Sequence, residues 1–268
     1  MKKPSEETYA VGEKVLFPEK PKAPEVIRIM TYNVHGCKGM DARISPERIA
    51  RVIARHQPDI VALQELDMNR LRSGAMDQPH IIAKELEMFY HFHPSFKVEE
   101  EHYGNAILSR FPMKLICAKQ LPGFNGQKNL EPRGALWVTL NINGMDLQII
   151  NTHLGLKRKE RLIQIEDLLG FDWLKHPDCI DPLVLIGDFN ALPNSMVCKR
   201  IKKSLRDVQE EMVNYSPKAT WFGHLPLGRI DHIFVSKKVE IKNVEVANTH
   251  FNRMSSDHLP LIVDIKLT

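Results

Sequence analysis

The chain has 268 residues, of which 43% are hydrophobic and 26% are charged. These fractions are those of an ordinary folded protein, which excludes a disordered or fibrous chain, and four cysteines are too few for a disulfide scaffold. The 37 lysines and arginines exceed the 33 aspartates and glutamates by only four, so the net charge permits a phosphate-bearing partner without implying a nucleic-acid coat.

The first 25 residues contain four prolines among lysines and glutamates, which predicts an extended N-terminal arm over residues 1–25. No composition break or internal repeat follows, so residues 26–268 are predicted to form one domain. The apolar runs are far shorter than the ~20 residues that cross a membrane, and no apolar stretch follows the first lysines as in a signal peptide. We expect a monomer, cytoplasmic by default or exported if a leader has been removed.

Short apolar runs alternate with longer amphipathic ones along the domain. Strands are predicted at 26–33, 59–64, 104–109, 113–121, 133–142, 145–152, 182–187, 230–235, 239–247 and 260–267, and helices at 45–56, 80–88 and 157–175. Ser45 followed by Pro46 marks a helix start, and Asn143-Gly144 marks a hairpin turn. This mixture of strand–helix units and hairpins predicts an α/β fold with two mixed sheets packed face to face and helices outside.

Polar side chains stand where six of the apolar runs end. They comprise four carboxylates, two histidines and two amides: Glu65, Asp188, Asp231, Asp257, His153, His258, Asn33 and Asn190. Each alone is most often a turn residue or a solvated charge, but two packed layers bring such strand ends to one rim. Carboxylate and amide oxygens suit Mg²⁺ or Mn²⁺, and histidines beside a phosphodiester transfer protons or neutralise charge.

Residues 27–266 resemble the endonuclease/exonuclease/phosphatase superfamily, because its main motifs occur in the family's order. The motifs are Thr-Tyr-Asn-Val-His at 31–35, Leu-Gln-Glu-Leu-Asp at 63–67, Asn-Thr-His-Leu at 151–154, Gly-Asp-Phe-Asn at 187–190, Arg-Ile-Asp-His at 229–232 and Ser-Asp-His-Leu-Pro at 256–260. The resemblance implies a four-layer α/β sandwich with two mainly antiparallel sheets. It also implies a Mg²⁺ or Mn²⁺ site, with Glu65 and Asp257 as metal carboxylates and Asn33 contacting both the metal site and the phosphate.

The resemblance further implies the catalytic residues. Asp188 and Asn190 match the residues that orient the attacking water and hold the transition-state phosphate. His153 matches a phosphate-contacting histidine, and His258 matches the catalytic histidine with Asp231 as its partner. The Asn-Thr-His-Leu motif is similar to that of the deoxyribonuclease, sphingomyelinase and inositol-phosphatase branches, whereas AP endonucleases carry an Asn-Ala-Tyr type of sequence there.

Further segments are similar to a subgroup of small bacterial hydrolases of this family. They include 103–110 and 131–136, in which Asn105 and Arg133 are candidates for substrate binding. The Arg133 guanidinium would bind an anionic group as a fork-shaped donor, and an exposed strand-edge charge is an equally good interpretation. A bound anion would explain the cations at 157–159 at a helix start, although a solvated helix face is the commoner explanation.

The 67–79 segment and four other histidines are interpreted more simply. The 67–79 segment, with Arg70 and Arg72, is long enough to be a lid or a specificity surface. The His91-Phe92-His93 pair is interpreted as a surface pair. No role is assigned to His35 or His232.

Together these features predict a divalent-metal-dependent hydrolase that cleaves a phosphodiester or phosphomonoester bond by water attack. The modest charge and an aromatic content of 7% favour a small-molecule or lipid-headgroup substrate. A DNA or RNA nuclease is the alternative within the enzyme class. A module that binds phosphate ligands without turnover is the alternative outside it.

Overall fold

The computed structural model describes residues 23–123 and 130–268, so most of the predicted N-terminal arm lies outside the described residues. The strands are β1 (Ile27–Asn33), β2 (Ile60–Met68), β3 (Phe89–Val98), β4 (Glu101–Ser109), β5 (Lys114–Gln120), β6 (Gly134–Ile142), β7 (Met145–His153), β8 (Leu183–Asp188), β9 (Arg206–Asp207), β10 (Asp231–Val235), β11 (Val239–Val246) and β12 (Leu261–Leu267). The helices are α1 (Pro46–His56), α2 (Gln78–Glu85), α3 (Arg158–Leu168), α4 (Met196–Ile201), α5 (Val208–Glu211) and α6 (His250–Ser255). Two 3-10 turns lie at His35–Cys37 and Leu71–Ser73.

The strands form two six-stranded sheets that pack face to face. One sheet has the order β11-β12-β1-β2-β4-β3 and the other has the order β5-β6-β7-β8-β10-β9. One apolar cluster lies between the sheets, a second joins the first sheet to α1 and α2, and a third joins the other sheet to α3 and α4. These four layers confirm the predicted α/β sandwich with helices outside.

The central strands are apolar throughout because both of their faces are buried. In β8, Val184 and Ile186 enter the cluster between the sheets, while Leu183 and Leu185 enter the cluster under α3. Successive side chains of a strand point to opposite faces, so a continuous apolar run supplies two layers at once. This explains why the run at 182–187 predicted its strand to within one residue at each end.

Local differences from the predicted elements have identifiable causes. The helix predicted over 157–175 ends at Leu168, and the chain continues in turns in which Gly170 N–H donates to Asp167 O while Trp173 packs into the core. The apolar spacing predicts a longer helix because Trp173 is buried and stands at a nearly helical interval from the buried residues of α3. The predicted 67–79 loop is shorter, since β2 continues to Met68 and α2 begins at Gln78.

Parallel pairing sets the position of the functional rim. β1 pairs in parallel with β2, and β7 pairs in parallel with β8, so the carboxyl ends of all four strands point the same way. β10 runs antiparallel to β8 with Asp231 opposite Asp188, and this places the beginning of β10 at the same rim. Within the described ranges, no helix has the length and apolar character needed to cross a membrane.

Candidate active site

One amide links carboxylates from both sheets. Asn33, at the end of β1, donates from Nδ2 to Glu65 Oε1 at 3.0 Å and to Asp188 Oδ2 at 2.9 Å. Its Oδ1 accepts from the backbone N–H of His35 at 3.0 Å, so the amide is fixed in one orientation. Asn33 and Asp188 are 1% exposed. The site is therefore built across the interface between the sheets.

Glu65 reaches the rim because β2 is irregular at this residue. The pairing of β2 with β4 shifts between Leu63 and Leu66, and Glu65 has a φ of 61° in the left-handed region. A bulge of this kind turns a side chain out of the normal alternation. Burial opposes ionisation of Glu65, but bonds from His35 and Asn33 and the positive charge of His258 outweigh it and lower the carboxyl pKa below its usual range.

A buried histidine pairs with one aspartate and faces another. His258 Nδ1 lies 2.9 Å from Asp231 Oδ2, and His258 Nε2 lies 3.7 Å from Asp188 Oδ2. Burial disfavours the imidazolium, but the Asp231 and Asp188 carboxylates favour it more and raise the pKa of His258 to about 10. The pKa of Asp188 is raised, because the carboxylate is buried and lies beside Asp231. His258 is therefore held as an imidazolium, and the neighbouring Asp188 is a stronger base than a solvated carboxylate.

A second histidine is held neutral on the other side of Asp188. His153 Nε2 lies 3.5 Å from Asp188 Oδ2, and Arg133 Nη1 donates to His153 Nδ1 at 3.2 Å. Burial and the Arg133 charge lower the pKa of His153 well below its usual value. Because Nδ1 accepts this bond, the ring proton of the neutral imidazole is on Nε2 and points into the site. Asn190 Nδ2 donates to Leu154 O and lies 3.1 Å from the same Nε2, which is a contact and not a hydrogen bond, because both nitrogens carry protons.

Two partly exposed carboxylates, those of Glu65 and Asp257, lie beside His35. His35 Nδ1 lies 3.5 Å from Glu65 Oε2 and 3.7 Å from Asp257 Oδ1. The Glu65 bond raises the pKa of His35 despite partial burial. Sequence reasoning left His35 without a role, although its position two residues after a strand-end asparagine was the available signal.

The donor set fits a small divalent cation. Glu65 and Asp257 present oxygens to the point that the His35 imidazole contacts, and carboxylate oxygens are the ligands preferred by Mg²⁺ and Mn²⁺. Asp188, Asp231 and His258 also offer ligand atoms that lie within 4.8 Å of one another. Asp231 Oδ1 is buried and has no hydrogen-bond partner among the described residues. Positive charge at this rim would stabilise every one of these carboxylates.

Two of the three predicted substrate-binding residues, Asn105 and Arg133, are buried. Asn105 is 2% exposed and its Nδ2 donates to Gly134 O at 3.0 Å. Arg133 is 7% exposed, pairs with Glu131 at 2.7 Å and contacts His153. The interpretation of Arg133 as an exposed strand-edge charge is wrong, since burial and the histidine contact account for the side chain.

The arginines of the 69–77 loop are occupied by the protein itself. Arg72 makes two bonds to Asp67, at 2.9 and 2.7 Å, and Arg70 bonds to Glu101 and packs over the rings of Phe96 and Tyr103. The loop is thus anchored to β2 and the β3–β4 hairpin. These bonds give no support to a freely opening lid.

Comparison with known proteins decides the family. The chain matches the model of the Endonuclease/Exonuclease/phosphatase family over residues 30–258. The chain belongs to this family. The match includes every motif that supplies a side chain to the rim, from Asn33 to His258.

Family relatives match over nearly the whole chain at low identity. The uncharacterized protein YbhP of Escherichia coli K12 is 24% identical over 250 residues, which cover 90% of this chain and 96% of YbhP. Exodeoxyribonuclease III of Haemophilus influenzae is 24% identical over 289 aligned positions, covering 90% of this chain and all of the enzyme. The solved family structure from Beutenbergia cavernae has a TM-score of 0.74 at 23% identity and covers 91% of this chain and 72% of that one.

Proposed function

We propose that this family member hydrolyses a phosphodiester or phosphomonoester bond, with water as the nucleophile and a divalent cation bound. One observation supports the proposal above the others. The buried Asp188 carboxylate has an oriented amide, a neutral histidine and an imidazolium within 2.9 to 3.7 Å of its oxygens. Hydrolysis at phosphorus requires an oriented proton acceptor beside donors that neutralise the phosphate, and this arrangement supplies both.

Asp188 is the proposed acceptor of the proton from the attacking water. Its Oδ1 is held by the Asn190 backbone N–H at 2.8 Å and its Oδ2 by Asn33 at 2.9 Å, so the carboxylate cannot rotate freely. The raised pKa of Asp188 brings its basicity closer to neutral pH, where a general base is most effective. Asp188 Oδ2 and His258 Nε2 are 3.7 Å apart and not directly bonded, so one water would contact both by donating to the carboxylate and accepting from the imidazolium.

The remaining donors are proposed to hold the phosphate. His258 is oriented by Asp231 and presents a charged Nε2–H that neutralises the phosphate or protonates the leaving oxygen. His153, as a neutral donor, and the Asn190 amide face the same space. A bound divalent cation at Glu65 and Asp257 would neutralise a phosphate oxygen and help the leaving group. Asn33 is proposed to orient its carboxylate neighbours, because both ends of its amide are already bonded to the protein.

A small-molecule or lipid-headgroup phosphoester is the proposed substrate class. The net charge of +4 is low for a protein that follows a nucleic-acid backbone, and a phosphoester site needs only a local positive field. The second candidate is a nuclease, which the relationship to exodeoxyribonuclease III favours.

A substrate panel tests the proposal. Protein stripped with EDTA is assayed with Mg²⁺ or Mn²⁺ on bis(p-nitrophenyl) phosphate, sphingomyelin, inositol phosphates, plasmid DNA and RNA. We expect metal-dependent turnover of the aryl diester and of at least one small or lipid phosphoester. Efficient cleavage of DNA with a steep loss between low and moderate salt would support the nuclease instead. Metal binding without turnover of any substrate would support the non-enzymatic binding module.

A further inference from the structure

Large apolar side chains are exposed on both sides of the catalytic rim. Seven of them, between 40% and 78% exposed, lie in segments that adjoin the catalytic strand ends: Leu156, Leu192, Met196, Trp221, Phe222, Leu225 and Leu227. Exposed apolar side chains gathered around one site indicate a binding surface.

The first group is a short hairpin fastened to the catalytic segment, here called the apolar hairpin (residues 221–227). Its base is closed by Trp221 N–H donating to Gly228 O at 2.9 Å. Gly223 N–H donates to Asp257 O at 2.6 Å, and Leu259 N–H donates to Thr220 O at 2.8 Å. The hairpin is therefore fixed beside Asp257 and His258, with its large side chains directed away from the core.

The second group lies in the segments that follow His153 and Asn190. Here the exposed Leu156, Leu192 and Met196 accompany three cations at the start of α3, and the set of residues 156–159, 192 and 196 is called the basic patch. A pocket of about 250 Å³ joins the starts of α3 and α4 and is lined by Arg158, Arg161 and Met196 among others. Both groups adjoin the catalytic cleft, because the hairpin is bonded to the backbone of Asp257 and Leu259 and the basic patch follows His153 and Asn190 in the chain.

The segments that carry these groups contain more cations than anions. Residues 189–205 and 212–228 contain no aspartate or glutamate. The same segments and the basic patch carry eight cations: Lys157, Arg158, Lys159, Lys199, Arg200, Lys202, Lys203 and Lys218. The net charge of +4 for the whole chain does not reveal this local excess of cations. Arg200 pairs with Glu166 and Lys202 pairs with Glu210, whereas Lys157 and Arg158 are exposed beside Leu156. Exposed apolar side chains beside such cations are complementary to an anionic lipid surface, where apolar side chains enter the interface and cations remain near the headgroups.

We propose that the apolar hairpin and the basic patch seat the protein on an anionic phospholipid surface. The cleft between them then faces the headgroups, so the substrate is the phosphoester of a lipid in that surface. This second statement rests on the proposed function, whereas the docking surface does not.

Tryptophan fluorescence provides a direct test of docking. Trp137 and Trp173 are fully buried and Trp221 is 40% exposed, so a change on addition of vesicles reports on the apolar hairpin. The Asp188→Asn protein is titrated with vesicles of phosphatidylcholine alone or mixed with phosphatidylglycerol. We expect a saturable blue shift, and pelleting with the vesicles, only for the anionic mixture.

Matched variants separate the two groups. Leu225→Ser with Leu227→Ser should weaken partitioning at least about tenfold, because these side chains are the most exposed of the hairpin. Lys157→Glu with Arg158→Glu should abolish the preference for anionic vesicles. Phe171→Ser is the control, since Phe171 is 77% exposed but lies beyond the opposite end of α3, and it should bind like the parent.

Three results would overturn the inference. The docking surface is wrong if anionic vesicles leave Trp221 fluorescence unchanged. It is also wrong if the blue shift appears on raising the protein concentration without lipid, because a second copy then covers the hairpin. Wild-type protein that docks and hydrolyses the soluble aryl diester, but hydrolyses no vesicle lipid, would contradict the lipid substrate alone. Failure on the soluble diester would instead count against the proposed function.

Discussion

At the residue scale, Asp188 is the point at which the two halves of the site meet. It receives a bond from Asn33 of the other sheet, and it lies between His153 and His258. Its burial beside Asp231 is unfavourable for folding, because two carboxylates in a dry site repel each other. Perturbed carboxylates of this kind are common at catalytic sites, which agrees with the role proposed for Asp188.

Replacing Asp188 or His258 should therefore separate activity from stability. Asp188→Asn and His258→Ala are expected to lower kcat/KM on the aryl diester at least about a hundredfold, the scale of a lost general base or charge-stabilising group. Asp188→Asn should melt at or above the wild-type temperature, because the amide removes the repulsion. Steady-state kinetics and calorimetry measure both effects, and near-wild-type activity in either variant would contradict the assigned roles.

We expect Arg133 to affect activity through its bond to His153. Arg133→Met removes the donor to Nδ1 and the positive charge, so the pKa of His153 should rise toward its ordinary value and the ring should lose its fixed tautomer. Nitrogen-15 NMR of the imidazole measures both quantities. We expect kcat to fall about tenfold, a loss on the scale of a mispositioned donor. An unchanged His153 titration would show that burial alone keeps the ring neutral.

At the element scale, a buried charge cluster holds the segment after β8 in place. His232 Nδ1 lies 3.0 Å from Asp207 Oδ2, its Nε2 lies 2.9 Å from Ala191 O, and Arg229 also bonds to Asp207. The cluster connects β9 and β10 to the residue that follows Asn190. Burial opposes the charge on His232, but the Asp207 and Cys198 contacts raise its pKa to about 10.

The cluster predicts a pH-dependent stability difference. The folded-state pKa of His232 exceeds the unfolded value of about 6.5, so its contribution is complete below that pH and is lost as the pH rises toward 10. His232→Gln should lower the free energy of unfolding by on the order of 3 kcal/mol at pH 6 and by clearly less at pH 10. Urea unfolding of both proteins at the two pH values measures this, and a difference independent of pH would show that His232 is neutral in the fold.

Some elements were predictable from the sequence and others were not. The buried runs of β1, β2, β7 and β8 were predictable because both faces of these strands are apolar. The end of α3 was not, because Trp173 is buried by turns at a spacing that imitates a helix. The positions of Arg133 and His35 depend on contacts between distant segments, which no local pattern encodes.

At the scale of the whole molecule, two sheets each contribute half of the rim. β1, β2 and the segment before β12 supply Asn33, Glu65, Asp257 and His258, and β7, β8 and β10 supply the rest. This arrangement was predictable from the sequence, because the polar site residues follow apolar strands whose ends meet at one edge of the sheets. It could not indicate which side chains share protons, since these pairings arise only when the sheets meet.

The most direct test of the central claim is metal-dependent hydrolysis at this rim. Wild-type protein and Asp188→Asn are stripped with EDTA, and hydrolysis of bis(p-nitrophenyl) phosphate is followed before and after addition of Mg²⁺ or Mn²⁺. We predict no turnover by either stripped protein and restored turnover by the wild type alone. Equal rates for the two proteins, or wild-type turnover that persists in EDTA, would contradict the account.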